Sequence, residues 1–121
     1  MQVLTHIAER LKDLHAAGYV HRDLKPGNIM WLPRQNRWTL IDFGCASRTG
    51  ERAPLGFTVA YAAPEVIQEY QAGGRGMVVG EALDAWALGI LAIELFTGEH
   101  AFERHCTPTE VRTTFFRYIS A

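Results

Sequence analysis

Two short stretches concentrate residue types that can do chemistry: His21-Arg22-Asp23-Leu24-Lys25-Pro26-Gly27-Asn28 and, a little further on, Ile41-Asp42-Phe43-Gly44. Between them they offer two carboxylates, a carboxamide and an ammonium. Such a set can ligate a hard cation through oxygen, accept a proton from a hydroxyl and offset charge on an anionic group. Phosphoryl transfer needs that set, because it depends on positioning and charge neutralisation more than on covalent help from the protein. An isolated Asp-Phe-Gly, or the Ala63-Pro64-Glu65 that follows it, is more often a turn than a site. Here four motifs stand in order, the last being Asp84-Ala85-Trp86-Ala87-Leu88-Gly89, and each co-linear match raises the specificity of the whole.

The elements that must position these residues are legible in outline. Over residues 1–17, Leu4, Ile7, Leu11 and Leu14 recur at spacings of three and four, with Glu9, Arg10, Lys12 and Asp13 on the other face; this predicts an amphipathic helix, stopped by Gly18. Three apolar pieces, Tyr19-Val20, Ile29 to Leu32 and Trp38 to Ile41, are too short for helices and read as small strands framing loops. The stretches 48–57 and 71–80, rich in Gly, Pro or charge, lack periodicity and read as exposed loops. Between Glu81 and Thr97 apolar residues point in nearly every direction of a helix, which predicts a helix enclosed by protein and the spine of the core. Thr107-Pro108-Thr109-Glu110 forms a capping box for a last helix presenting Val111, Phe115, Tyr118 and Ile119.

Composition narrows the function classes. With 48% apolar residues in 121, the chain can bury one modest core and is neither disordered nor a disulfide scaffold. A net charge of −1 supplies no overall basic field for nucleic acid or an anionic membrane, so neither partner is expected and any phosphate binding must be local. Cys45 and Cys106 lie far apart in no metal-ligand spacing, the N-terminus has no secretory pattern, and the most apolar run is too short and too charged to span a bilayer. These features predict an intracellular, cytoplasmic protein.

Taken together, the motifs resemble the protein kinase family over nearly the whole chain. His21 to Asn28 is similar to its catalytic loop, Ile41 to Gly44 to its magnesium loop, Ala63 to Glu65 to the end of its activation segment, and Asp84 to Gly89 to the start of its central helix. The resemblance implies a serine/threonine protein kinase acting on protein substrates with ATP and Mg2+. The implied fold is mainly α (α+β), a kinase-like large lobe with a few short strands around the catalytic loop. Asp23 would accept the hydroxyl proton, Lys25 would offset phosphoryl charge, and Thr58 is similar to a threonine that bonds both. Asn28 and Asp42 would hold the metal, Met30 would floor the adenine pocket, and Lys25, Asn28 and Asp42 would bind the phosphate and metal end of the cofactor. Lys25 and, more weakly, Thr58 favour Ser/Thr over Tyr acceptors. His21 and Phe43 look like members of the hydrophobic column that aligns the two lobes, although core packing predicts the same burial for His21 and Met30. Arg22 resembles the arginine that pairs with an activation-loop phosphate in many kinases. Ser47 and Thr49 are candidate acceptors of that phosphate, or simply solvated hydroxyls. The other histidines, His6, His15, His100 and His105, show no ligand pattern and read as surface or helix-face residues.

The sequence also departs from the pattern. It has no Gly-rich strand-turn-strand over ATP phosphates and no Val-Ala-Ile-Lys strand, so residues 1–121 read as a partial kinase domain whose small lobe is absent or separate. The partner expected for Glu65 would lie past Ala121 unless Arg112 or Arg117 substitutes. The connection from Glu65 to Asp84 is longer than usual, with Gly73, Gly74, Gly76 and Gly80 in the excess, and Cys45 is an unusual residue after Gly44. Two other readings are a non-catalytic kinase-like interaction module, against which the intact Asp23, Lys25, Asn28 and Asp42 argue, and a small-molecule phosphotransferase of kinase-like fold.

Overall fold

The computed structural model describes residues 2–56 and 61–98. Helix α1 (Gln2–Ala16) buries Ile7 and Leu11, the centre of the apolar stripe, and stops where Gly18 takes φ +89° and donates its N–H to the His15 carbonyl. A residue with a Cβ is disfavoured in that left-handed conformation, which makes glycine the natural stop. Strand β1 (Tyr19–Val20) follows, then the loop bearing His21 to Lys25, a 3-10 turn (Pro26–Asn28), and the hairpin β2 (Ile29–Leu32) and β3 (Arg37–Leu40). The hairpin runs in the register Ile29↔Leu40 to Leu32↔Arg37, with Trp31 opposite Trp38 and their rings edge to face at 5.3 Å. Asn36 closes its turn at φ +51°, a conformation Asn tolerates better than most residues. His6 Nδ1 accepts the Trp38 N–H at 3.0 Å and fastens β3 to α1, so this histidine is an anchor and not a bare helix-face residue.

The two stretches expected to be loops pair with each other. Strand β4 (Ser47–Arg48) runs antiparallel to β1, and β5 (Arg52–Pro54) pairs antiparallel with β6 (Gly76–Val78). Ala53 and Val79 are buried. Each piece is too short, and too interrupted by Gly or Pro, to show a period of two; its strand state comes from a distant partner rather than from its own pattern. Between them, α2 (Pro64–Gln71) starts with proline at its first turn, where the missing N–H has no intrahelical partner to lose, and buries Val66 and Ile67.

Helix α3 (Ala82–Thr97) lies against both apolar clusters. Leu83 joins Val20, Ala53, Ala62, Ala63, Val66, Ile67 and Val79, while Ala87 and Leu91 join Ile7, Leu11, Leu24 and Leu40. The helix is the common wall of the core, as its composition predicts. Among the described residues it is not enclosed, however: Ala85 and Gly89 are exposed, and Ile93 and Phe96 remain 44% and 71% exposed. Uniform apolarity marks a helix that can be covered all round, but the described residues cover only one side. Gly98 ends α3 at φ +76° with its N–H on the Glu94 carbonyl. The capping box at Thr107 and the helix expected after it lie outside the described residues.

Candidate active site

The loop between β1 and the 3-10 turn has no ladder to satisfy its peptide groups, so buried side chains do so. Asp84, fully buried in the first turn of α3, accepts the His21 N–H at 2.8 Å and the Arg22 N–H at 2.9 Å. Its Oδ2 also faces His15 Nε2 at 2.8 Å. His15 is therefore a partner of a buried carboxylate and not a surface residue, and Asp84 is a positioning residue to which the sequence reading gave no role beyond its place in the fourth motif. The available signal was an acidic residue inside the most apolar run of the chain, which has to find donors once buried.

Held by these bonds, Arg22 adopts φ +72°, a left-handed conformation that costs a non-glycine residue of order 1–3 kcal/mol. Its guanidinium reaches across to the following segment, donating from one terminal nitrogen to the Ser47 hydroxyl at 3.0 Å and the Cys45 carbonyl at 3.3 Å. The other terminal nitrogen donates to the Pro54 carbonyl. The buried Nε makes no hydrogen bond among the described residues. Ser47 also donates to the Cys45 carbonyl at 3.1 Å, so it is a bonded hydroxyl rather than a solvated one.

His21 is fully buried and bridges two parts of the site. Its Nδ1 accepts the Asp23 N–H at 3.1 Å, which places the ring proton on Nε2, where it is donated to the Ile41 carbonyl at 3.0 Å. The ring meets Phe43 edge to face at 5.2 Å, while Phe43 is half exposed. Next to it, Asn28 donates from Nδ2 to the Asp23 carbonyl at 2.7 Å and to Asp23 Oδ2 at 3.1 Å, and Lys25 Nζ lies 3.7 Å from Asp23 Oδ1. Both Asp23 oxygens thus have neighbours that fix the carboxylate, yet its side chain keeps 18% exposure and Lys25 keeps 33%. A carboxylate held in this way can accept a proton while an adjacent ammonium offsets negative charge.

The hairpin carries Asp42 one residue past a bond to Asn28. The Ile41 N–H donates to the Asn28 carbonyl at 2.9 Å, continuing the β2/β3 register, so Asp42 follows directly at the hairpin's open end. Asp42 is exposed at φ +58°, with Oδ1 accepting the Gly44 N–H at 3.2 Å; a Cβ on Gly44 would stand 3.2 Å from that oxygen. The Asn28 amide nitrogen is committed to Asp23, which leaves its oxygen, together with the exposed Asp42 carboxylate, as groups that could hold a cation. No cluster of three His, Cys, Asp or Glu side chains exists among the described residues. That donor set suits Mg2+, which keeps waters and substrate phosphates and takes only one or two protein carboxylates.

Met30 is 46% exposed on β2, so the burial expected from core packing is not observed. Thr58, Arg112, Arg117, His100 and His105 lie outside the described residues. Glu65 is exposed at the start of α2. No helix among the described residues is long and apolar enough to cross a membrane.

Residues 1–119 match the family model described as a protein kinase domain. The chain belongs to the protein kinase family. It is similar to human serine/threonine-protein kinase Kist, 37% identical over 97 residues that make up 76% of this chain, and to human serine/threonine-protein kinase SBK2, 39% identical over 100 residues or 81% of the chain. Human myotonin-protein kinase is 36% identical over 104 residues, 82% of the chain. The chain spans only 23%, 28% and 16% of the lengths of these relatives.

Proposed function

We propose that this chain is the large, C-terminal lobe of a protein serine/threonine kinase, which transfers the ATP γ-phosphoryl group to Ser or Thr hydroxyls of proteins when completed by a small lobe. The observation that carries the reading is the set of contacts around Asp23: Asn28 at 3.1 Å on one oxygen and Lys25 at 3.7 Å on the other, with Asp42 one residue from the Ile41–Asn28 bond. Bound Mg2+ would neutralise charge on the nucleotide phosphates, and the Asn28 and Asp42 oxygens would hold it.

The rest of the chemistry belongs to this chain's side chains. As the substrate hydroxyl oxygen bonds to the γ-phosphorus, the bond to the bridging oxygen breaks, ADP leaves, and the hydroxyl proton passes to Asp23. Asn28 keeps that carboxylate turned toward its task, and Lys25 offsets charge on the transferred group. The serine/threonine assignment rests on Lys25 two positions after Asp23 and on the names of the relatives. In a kinase domain completed with a small lobe, Asp23→Asn is expected to lower phosphate transfer to a basic protein substrate by about 10²–10⁴-fold, the range a positioned general base contributes. Transfer at the unaltered rate would exclude Asp23 as the proton acceptor.

A further inference from the structure

The long connection between α2 and α3 carries a cluster of glycines that the catalytic reading does not use. Its second half, residues 75–79, lies along residues 50–55 in one continuous antiparallel register: Arg52↔Val78, Ala53↔Met77 and Pro54↔Gly76. Main-chain bonds extend the pairing at both ends, with the Val79 N–H on the Glu51 carbonyl at 2.9 Å, the Gly50 N–H on the Val79 carbonyl at 2.8 Å and the Leu55 N–H on the Arg75 carbonyl at 3.1 Å.

Antiparallel strands alternate between hydrogen-bonded and non-hydrogen-bonded pairs. With Glu51–Val79 and Leu55–Arg75 bonded, Ala53–Met77 falls in the bonded class and Pro54–Gly76 between them does not. Pro54 therefore sits where its missing N–H leaves no gap in the ladder, and its carbonyl turns outward to accept from Arg22. Gly76 is required by the close approach: a Cβ there would stand 2.8 Å from the Ala53 carbonyl oxygen. Arg52 adds a bond from its guanidinium to the Gly76 carbonyl at 3.2 Å. Val79 and Ala53 face the buried cluster with Val20, Ile67 and Leu83, so the paired strands are also fixed to the core.

We propose that residues 75–79 are a strap that holds the segment 50–55 in place by main-chain pairing, so that the segment keeps its conformation, and Arg22 its contacts, with no phosphate on the chain. The inference rests on the kinase reading only in giving 50–55 the role of an activation segment. Arg22 does not wait for a phosphate in this arrangement: its two terminal nitrogens already bond the Pro54 carbonyl of the segment and, just before the segment, the Ser47 hydroxyl and the Cys45 carbonyl. The family's device of an arginine anchored on a phosphorylated loop is replaced here by an arginine anchored on two carbonyls and a hydroxyl, with a second strand behind the carbonyl of Pro54.

Hydrogen exchange on the full-length protein tests the strap without any activity being measured, so a chain with no kinase activity can still bear it out. After phosphatase treatment, with absence of phosphate checked by intact mass, peptides covering 49–55 and 75–79 should exchange at least about tenfold more slowly than the intrinsic rate, as they do before treatment. Gly76→Val should speed exchange in both peptides by about tenfold while leaving α1 unchanged. Should the variant lose protection in α1 as well, the phosphatase comparison on the unaltered protein decides alone. Intrinsic-rate exchange of 49–55 in the dephosphorylated protein, protection that appears only with phosphate present, or protection untouched by Gly76→Val in an otherwise folded protein would each overturn the proposal.

Discussion

Asp84→Asn is the substitution whose effect follows most directly from the geometry. The carboxylate is fully buried and accepts three hydrogen bonds, two on Oδ2 from His15 and the His21 N–H and one on Oδ1 from the Arg22 N–H. An asparagine can turn its single oxygen to the Oδ2 position and keep two of them. These then weaken from charge-assisted to neutral, roughly 1 kcal/mol each. The new NH2 group faces the Arg22 N–H, so a buried donor loses its acceptor at about 1–3 kcal/mol. The sum is about 4 kcal/mol, a large part of the roughly 5–15 kcal/mol that holds a domain together. At about 4 °C per kcal/mol for a chain of this size, thermal unfolding of the protein should begin about 15 °C lower. The matched control is Asp13→Asn, which removes an exposed pair with Arg10 at 2.7 Å and should shift Tm by no more than a few degrees. Hydrogen exchange would locate the damage, because the His21 and Arg22 amides should lose protection before those of α1. An Asp84→Asn protein melting within about 3 °C of the unaltered one would refute the idea that this carboxylate carries the loop.

Two further outcomes concern the proposed chemistry. Asp42→Asn in a completed kinase domain should abolish magnesium-dependent phosphorylation while leaving the melting temperature unchanged, because the side chain is exposed and its carboxylate is a hard-oxygen ligand that neutral Asn replaces poorly; full activity at ordinary magnesium concentrations would remove it from the mechanism. The 121-residue chain alone should not turn over a protein substrate at a useful rate, since the family's small-lobe lysine and its glutamate partner are needed to align the phosphates and positioning can supply about 7–11 kcal/mol of barrier reduction; radiolabelled transfer lost on Asp23→Asn would contradict this.

What could be read from the sequence was what is local. The stripe Leu4, Ile7, Leu11 and its stop at Gly18 are set within a few turns of chain, and so are the short strands flanking a turn that ends in Asn36. The site motifs were legible because their residue types are chemically uncommon at that spacing, and the structure groups Asp23, Lys25 and Asn28 within contact distance. The pairing of 52–54 with 76–78 was not legible, because neither piece alternates and its partner lies more than twenty residues away. The face of α3 left exposed among the described residues was not legible for a related reason: apolar residues all round a helix state what it can bury, and not which residues bury it. His15 and Asp84 were readable separately, one as a helix residue and one as a motif acid, but their contact exists only once α1 and α3 pack together.

Backbone strain ties the site to the fold. Arg22, next to His21 in the chain, and Asp42, next to the Ile41 that His21 bonds, both hold positive φ, where glycine would be relaxed. Arg22→Gly would relieve its strain and still delete the contacts to Cys45, Ser47 and Pro54, so the conformation is kept for what the side chain reaches. Asp42 is held more lightly, by one bond to the Gly44 N–H and by the His21 link to Ile41 just before it. The two strained residues thus differ in what restrains them: one is set by a buried carboxylate and a strapped segment, the other by a hairpin end that remains open to solvent. That asymmetry would suit the proposed chemistry, in which the loop carrying Asp23, next to Arg22, is fixed in advance while Asp42, the proposed cation ligand, settles as its ion arrives.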